Sequence, residues 1–472
     1  LSAAPTFTVT EVALARRACQ TRLPFRFGEA TLERADMLTC RVTIRGPGGQ
    51  SRCGWSADLL APRWFRKDTD ATPQEDAEEL FDSVVASARA FVDQSGGAVF
   101  DLWRGVMRAR VDPFPFDAPD QLVRGFGVAL VERALLDASA RFVGLSFARA
   151  LRDDVFGFRP GAVHASLARW DWRGDLPTPV TRVAVRHTVG MLDPLRATDL
   201  ADADRIHDGL PETLAEDLDT YGGAWLKVKI GAGVDRDRER LLDLARFCVE
   251  RDQAFGFSLD GNEQYEDLDE VLSLLQAVAA EPVGARLLKG LAWIEQPLSR
   301  QHTFDPQRHR SGQRVADFAP LLIDEADAAP RSFERARELG YRGVSVKSCK
   351  GVFRALCNFG ICQGDAALFQ SGEDLTNVGV LALQQDLVIQ SVLGSSHVER
   401  NGHRYFRGLD HLPGDVARRA LSDHADLYRE LDVGAALRIQ RGAVDATSSL
   451  QSVGFGTAMD DWGLELETVA ER

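Results

Sequence analysis

Five segments of the chain, in order, end in residues able to hold a metal ion between two amines. They read Leu226-Lys227-Val228-Lys229-Ile230, Phe257-Ser258-Leu259-Asp260, Trp293-Ile294-Glu295-Gln296-Pro297, Leu321-Leu322-Ile323-Asp324-Glu325 and Val344-Ser345-Val346-Lys347. Each is a short apolar, partly β-branched run that stops at a charge, and about 23 to 35 residues separate one functional position from the next. That spacing fits one strand, one loop and one helix per unit, which builds parallel strands joined by crossover helices. In a closed (β/α)8 barrel the C-terminal ends of such strands converge on one face. The order Lys, Asp, Glu, Asp, Lys therefore predicts three carboxylates facing one another with a lysine on either side. Capping of the following helix would explain any single carboxylate, but not three on successive strands.

The elements that must position these residues are legible as well. Residues 7–60 read as strands: Thr8–Ala15 alternates, Pro24-Phe25-Arg26-Phe27-Gly28 makes a turn, and Met37–Ile44 is a second run before Gly46-Pro47-Gly48-Gly49. Residues 74–95 and 121–143 read as helices, the second stopping near Gly144. From Val183–Val189 to about residue 430, strand and helix alternate. Helices are expected at 211–220, 235–251, 266–281, 331–340, 351–360 and 376–390. Segments 61–75 and 297–316 are polar and read as loops. The expected fold is α/β, a modified (β/α)8 barrel over residues 180–435. An α+β capping domain over 1–160 precedes it, and a glycine-rich segment, 436–472, returns to the cap.

Bulk properties exclude several classes. The chain has 472 residues, 44% hydrophobic and 27% charged, so it exceeds a single core and gives no case for disorder. A formal charge of −14 argues against a nucleic-acid or anionic-membrane partner. No apolar stretch approaches the roughly 20 residues that span a bilayer. Leu1-Ser2-Ala3-Ala4-Pro5 lacks the basic and apolar regions of a signal peptide. Seven scattered cysteines form no zinc-type spacing and read as reduced core thiols, so the expected location is cytoplasmic.

With these residues in hand, the chain resembles the enolase superfamily, and within it the muconate-lactonizing-enzyme subgroup of the mandelate racemase/muconate lactonizing enzyme family. Lys227-Val228-Lys229 looks like the subgroup's KxK, Asp260-Gly261-Asn262 its D-x-N, Glu295-Gln296-Pro297 its E-Q-P, and Asp324-Glu325 its D-E. Lys347 followed by Lys350-Gly351 is similar to its second catalytic lysine and the turn after it. Phe25-Arg26-Phe27-Gly28 sits where family members carry a mobile specificity loop. There are departures. Either Glu373 or Asp374 takes the place of a lone Glu beyond strand seven. At strand eight, His397-Val398-Glu399-Arg400-Asn401-Gly402-His403 replaces the Asp-x-Asp of dipeptide epimerases. A lysine on the sixth strand excludes a His-Asp pair of the mandelate racemase type.

The resemblance implies removal of the proton next to a carboxylate, which produces a dianionic enolate that a hard cation stabilises best. Asp260, Glu295 and Asp324 would be the ligands of Mg²⁺, with Mn²⁺ as the alternative ion, since all-oxygen ligation disfavours Zn²⁺. Lys229 and Lys347 would be acid and base on opposite faces of the substrate. A lysine works as a base at neutral pH once its pKa falls toward ~7–8. Lys227 and Lys350 would supply field or hold the substrate carboxylate, while Asn262, Glu325 and Gln296 would orient ligands. Arg26 closes over the substrate or is simply a turn residue. His187 lines the pocket or is a satisfied polar residue. His397 and His403 read as solvated loop residues. Arg400, Arg404 and Arg407 are candidates for a second anionic group.

The favoured reaction is racemisation or epimerisation of a small carboxylate by two lysines. The alternative is dehydration or cycloisomerisation by one of them. A barrel that binds metal without turnover is the remoter reading, because fold does not fix function. Homo-oligomerisation is expected from the resemblance alone.

Overall fold

A computed structural model describes residues 4–67, 70–432 and 434–472; residues 1–3, 68, 69 and 433 lie outside the described residues. Three long strands open the chain: β1 (Thr8–Phe27), β2 (Ala30–Arg45) and β3 (Ser51–Leu59). The turn expected over Pro24–Gly28 is displaced. β1 continues to Phe27, and the chain reverses at Gly28-Glu29, with φ +52° at Gly28. Pro24 falls where the β1–β2 pairing is irregular, between Gln20 and Phe25. A residue without an N–H interrupts a ladder there without ending the strand. The strand Glu467–Glu471 pairs antiparallel with the other edge of β1, so both ends of the chain build the same four-stranded sheet.

Two cap helices match the sequence pattern, Pro73–Val92 and Gln121–Val143. Thr72 and Glu75 form a reciprocal capping box at the start of the first. Gly144, at φ +69°, ends the second. A third helix, Val99–Arg110, was not among those expected. Gln121–Val143 is buried on nearly every side because it lies between the sheet and the barrel. A Cβ on Gly54 of β3 would stand 2.1 Å from the Ala138 backbone nitrogen, so strand and helix meet backbone to backbone.

Eight parallel strands form the barrel: β4 (Arg182–Val189), β5 (Trp225–Lys229), β6 (Gly256–Asp260), β7 (Leu291–Glu295), β8 (Leu321–Ile323), β9 (Gly343–Val346), β10 (Phe369–Gly372) and β11 (His397–Arg400). Each pairs with the next, and β11 pairs with β4 to close it. The crossover helices are Leu214–Tyr221, Val234–Glu250, Leu268–Ala279, Ser332–Glu338, Val352–Gln363 and Leu381–Val392, close to the expected ranges. The segment 61–75, apart from residues 68 and 69, contains a short helix at Pro62–Phe65. Segment 297–316 likewise holds short helical turns, Pro306–His309 and Gly312–Ala316. Residues 443–445 pair antiparallel with β4 and so stay with the barrel, although the whole of 436–472 was expected to return to the cap. Contact with the cap begins further on, where Phe455 stacks on Phe147 with ring centroids 4.1 Å apart.

Among the described residues no single helix is long and apolar enough to cross a membrane. All seven cysteines are free, and five are buried.

Glu132 joins cap to barrel. Its carboxylate accepts the backbone N–H groups of Phe353 (2.8 Å) and Val352 (3.3 Å) at the start of a barrel helix. Burial pushes this carboxyl up to about 7, against the pull of those N–H groups and of Arg133. A carboxyl raised in the folded state favours the protonated form. Its contribution is therefore full below about pH 4.5 and lost as pH rises through about 7. Glu132→Gln, which mimics the protonated group, is expected to raise Tm above wild type at pH 8. The difference should vanish by pH 5, as read by thermal melts across that range.

Candidate active site

Side chains alternate in and out along each barrel strand. The inward set at the C-terminal end is almost entirely charged. Lys227 lies at its centre, fully buried, with its ammonium nitrogen 2.7 Å from Glu295 Oε2, 2.7 Å from Glu373 Oε2, 3.0 Å from Glu399 Oε2 and 3.0 Å from Asp260 Oδ2. Lys229, two residues on, donates to Asp260 Oδ2 at 2.6 Å. Across the barrel, Lys347 donates to Asp324 Oδ2 at 2.6 Å. Lys350 contacts Ser345 Oγ (2.6 Å), Asp327 Oδ2 (3.0 Å) and the Asp324 carbonyl (3.1 Å). Ser345 also donates to Asp324.

The carboxylates lie on successive strands in one layer, Lys229 being paired in register with Asp260 and Asp260 with Glu295. Asn262 donates its backbone N–H to Asp260 Oδ1 (2.9 Å) and its amide to Glu325 Oε1 (3.1 Å). Gln296 accepts from the backbone N–H groups of Asp324 (2.8 Å) and Ala326 (3.2 Å). It thereby fixes the turn that presents Asp324.

The electrostatics follow from these partners. Burial would raise the Asp324 carboxyl, but Lys347, Lys350 and Lys227 outweigh it and hold the group far below the usual range. Asp260 is lowered in the same way, with Lys227 and Lys229 overcoming burial. Glu295 goes the other way: burial and the neighbouring Asp260 and Glu373 carboxylates push it well up, and a shared Lys227 compensates only partly. Lys347 is held as an ammonium, since Asp324 overcomes the burial that would lower it.

The structure separates the expected site residues into groups. Lys227, Lys229, Asp260, Glu295, Asp324, Lys347, Lys350 and Glu373 meet inside the barrel, with Asn262 and Glu325 at its rim. Of the two acids at 373 and 374, Glu373 points inward, and Arg186 and Ser371 also contact it. Asp374 points away and accepts the Asn377 N–H at 2.8 Å. Arg26 is not in the site, and it is not a turn residue either: it lies within β1, paired with Thr31 of β2, and its guanidinium donates to the Gly28 carbonyl at 3.5 Å. Nor are the arginines after strand eight. Arg400 pairs with Asp386 (2.6 Å), and Arg404 with Asp217 and Asp193, all buried, while Arg407 lies outside beside Asp410. His187 faces outward. His397, expected on a solvated loop, stacks inside the barrel between Trp225 (4.0 Å) and Trp293 (5.7 Å).

Several members of the site escaped sequence reading. Glu399 and Arg186 belong to the inward rows of β11 and β4, which the strict alternation of Val398-Glu399-Arg400 and Val185-Arg186-His187 could have revealed. Trp64 of the cap places its ring 4.5 Å from the Lys347 nitrogen, and its buried Nε1 has no hydrogen-bond partner among the described residues. Lys67 reaches Glu263 Oε2 (2.7 Å), the Asn262 carbonyl (2.7 Å) and Glu325 Oε1 (3.2 Å). Arg300 ties this cap segment down by donating to the Trp64 (2.9 Å) and Phe65 (2.6 Å) carbonyls. No local signal marks these three residues, because their partners lie some hundreds of positions away.

No protein-family model and no curated protein matches the sequence. Solved structures do match over nearly the whole length. An enolase from Bradyrhizobium, complexed with magnesium and mandelic acid, is 18% identical and covers 96% of each chain, with a TM-score of 0.60. Muconate lactonizing enzyme from Pseudomonas fluorescens, complexed with muconolactone, is 16% identical over 96% of this chain and 97% of that one, with a TM-score of 0.59. A dipeptide epimerase from Cytophaga hutchinsonii, complexed with Mg and D-Ala-L-Val, is 15% identical over 98% and 100%, at 0.60.

Lys227→Met is expected to destabilise the protein by about 3–5 kcal/mol, because four buried carboxylates lose their shared cation. Urea unfolding in the presence of a chelator measures it; a change under 1 kcal/mol would mean that Lys227 does not organise the site. By architecture, cap and barrel together, the chain has the fold of enolase-superfamily proteins.

Proposed function

We propose that the chain is an enolase-superfamily enzyme that removes the proton α to a substrate carboxylate with the help of Mg²⁺, and that its reaction is a racemisation or epimerisation. One observation carries this reading. Lys229 ends β5 and Lys347 directly follows β9, strands four apart in a barrel of eight, so they face each other across the axis with Asp260, Glu295 and Asp324 at the ends of the strands between. A site kept only for stability has no need of two opposed amines at that level.

The donor set suits a hard cation. All three carboxylates are buried, and none of the three proposed ligands is His or Cys. Glu295 Oε2, Glu325 Oε2 and Asn262 Oδ1 are buried without an aligned hydrogen bond, and Glu295 carries surplus negative charge around it. Bound there, Mg²⁺ would offset that surplus and the charge that develops on the substrate carboxylate when the α-proton leaves.

The chain's own residues do the rest. A lysine as free amine takes the α-proton from one face, and the opposite lysine, as ammonium, returns one to the other face. Lys347 serves as donor while it is paired with Asp324, and as base only once Asp324 is engaged elsewhere. Trp64 over Lys347 excludes water from the transfer. Lys229 and Lys347 are buried, at 6% and 4% exposure. A cavity of about 1,090 Å³ between cap and barrel is lined by Phe27, Leu32, Arg63, Lys67, Gln264 and Arg300, among others; neither lysine lines it, and it comes nearest the site at Lys67, whose ammonium contacts Glu325.

The test is exchange of the α-hydrogen. The protein with Mg²⁺ is incubated in D₂O with pooled N-acyl amino acids, dipeptides, sugar acids and cycloisomerase substrates. Deuterium uptake at the α-carbon with no other mass change is expected, abolished by chelation and reduced at least a hundredfold in Lys347→Ala and Lys229→Ala. Loss of water or a ring change would assign lyase or cycloisomerase chemistry instead. Full exchange in both lysine variants would overturn the two-lysine mechanism.

A further inference from the structure

A second group of potential ligands lies outside the barrel, on the seam where its first and last strands meet. On β4, Arg186 and Thr188 face inward, to Glu373 and Glu399. His187 between them must face outward. There it meets Asp217 on the helix Leu214–Tyr221 and His403 on the short helix Gly402–Tyr405 that follows β11. His187 Nε2 stands 3.4 Å from Asp217 Oδ2, and its Nδ1 stands 3.2 Å from His403 Nε2. Taking one donor atom from each residue, the three lie within 4.8 Å of one another.

Three features set this group apart from a satisfied polar cluster. Asp217 Oδ1 and His403 Nδ1 are buried with no hydrogen-bond partner among the described residues, and His187 Nε2, 3.4 Å from Asp217 Oδ2, makes no aligned hydrogen bond. The Asp217 carboxylate is held from behind: Arg404 donates to Oδ2 and is itself balanced by Asp193 at 3.2 Å. Metal-bound carboxylates are commonly oriented by a partner of this kind. Finally, a cavity of about 30 Å³, lined by Tyr221, Arg400, His403 and Tyr428, lies beside His403. It has room for one water, and the Tyr428 hydroxyl, also buried without a partner, lines it.

We propose that His187, Asp217 and His403 bind one Zn²⁺ ion, with a water as fourth ligand, and that the ion pins the β4–β11 seam. Two imidazoles and one carboxylate suit a borderline ion such as Zn²⁺, in contrast to the all-oxygen set inside the barrel. A tetrahedral Zn²⁺ site needs ligand atoms roughly 3.3 Å apart. His187 Nε2 stands 3.4 Å from Asp217 Oδ2, which Arg404 occupies, so Oδ1 is the ligand oxygen, and the His403 ring turns toward it. The two sites share no ligand, so the proposal stands whether or not the barrel centre works as proposed above.

The experiment uses the full chain stripped of metal, then given millimolar Mg²⁺ and a small excess of Zn²⁺, with bound metal counted after gel filtration. One retained equivalent of Zn²⁺ and a raised Tm are expected for wild type and for Asp260→Asn, which alters only the barrel centre. His187→Gln and His403→Gln should each lose that equivalent, and Co²⁺ in place of Zn²⁺ should give the intense visible absorption of a four-coordinate site in wild type and Asp260→Asn but in neither histidine variant. No retained Zn²⁺ in wild type overturns the proposal, whatever the folding of the variants. So does retention in both histidine variants with loss in Asp260→Asn, which would put the ion inside the barrel.

Discussion

The centre of this protein is held by one ammonium group shared among four buried carboxylates. Lys227 touches Asp260, Glu295, Glu373 and Glu399, which come from four different strands, so a single side chain ties half the barrel's circumference together. Removing charges from water costs several kcal/mol per ion, and only close, multiple pairing returns it. The interior meets that demand with near-equal numbers. Among the described residues, Asp260, Glu295, Asp324, Glu373 and Glu399 are opposed by Arg186, Lys227, Lys229, Lys347 and Lys350. Balance of total charge is not balance at each group, however. Glu295 has only a quarter share of Lys227 and stands near three other carboxylates, Asp260, Glu373 and Asp324, so it is the position where added positive charge relieves most.

Everything above this layer serves to keep it dry. The cap is fastened to the barrel mouth on two sides. On one, Arg300 takes the carbonyls of Trp64 and Phe65, and Lys67 reaches across to Glu263 and Glu325. On the other, Arg22 pairs with Asp208 at 2.6 Å and donates to the Pro211 and Arg404 carbonyls, while Phe25 stacks on Tyr405 at 4.2 Å. These clamps join residues hundreds of positions apart. The consequence for chemistry is a low local dielectric around Lys229 and Lys347, in which moving a neighbouring carboxylate changes an amine's proton affinity far more than it would in water.

The parts legible in the sequence were those set by local rules. Strand ends marked by a charge after a β-branched run gave the barrel strands, and Gly144 gave the end of the long cap helix. The hairpin turn was misplaced because proline and glycine both signal reversal, and only the pairing partner shows that Pro24 merely disturbs the ladder while Gly28 turns it. The helix Val99–Arg110 is not among the expected elements; it follows closely on Gly96-Gly97, a pair that interrupts helical periodicity. Trp64, Lys67 and Arg300 sit in polar segments whose structure comes from each other, so nothing local could single them out. The ligand-bearing loops lay between these extremes: Asn262 was legible as a motif, but its bond to Glu325 was not.

The arginines of the last strand show the same limit from the opposite side. Arg400 and Arg404 looked like surplus positive charge close to a substrate, because adjacency in sequence suggests adjacency in space. In a barrel strand it means the reverse, since Glu399 and Arg400 must face opposite sides. The inward member joins Lys227, and the outward member is neutralised by Asp386 on the helix that covers the strand. Arg404 meets Asp217 and Asp193 in the same outer layer. One short segment thus feeds two separate polar systems, one inside the barrel and one beneath its helices, and a charge assigned to the wrong face is assigned to the wrong chemistry.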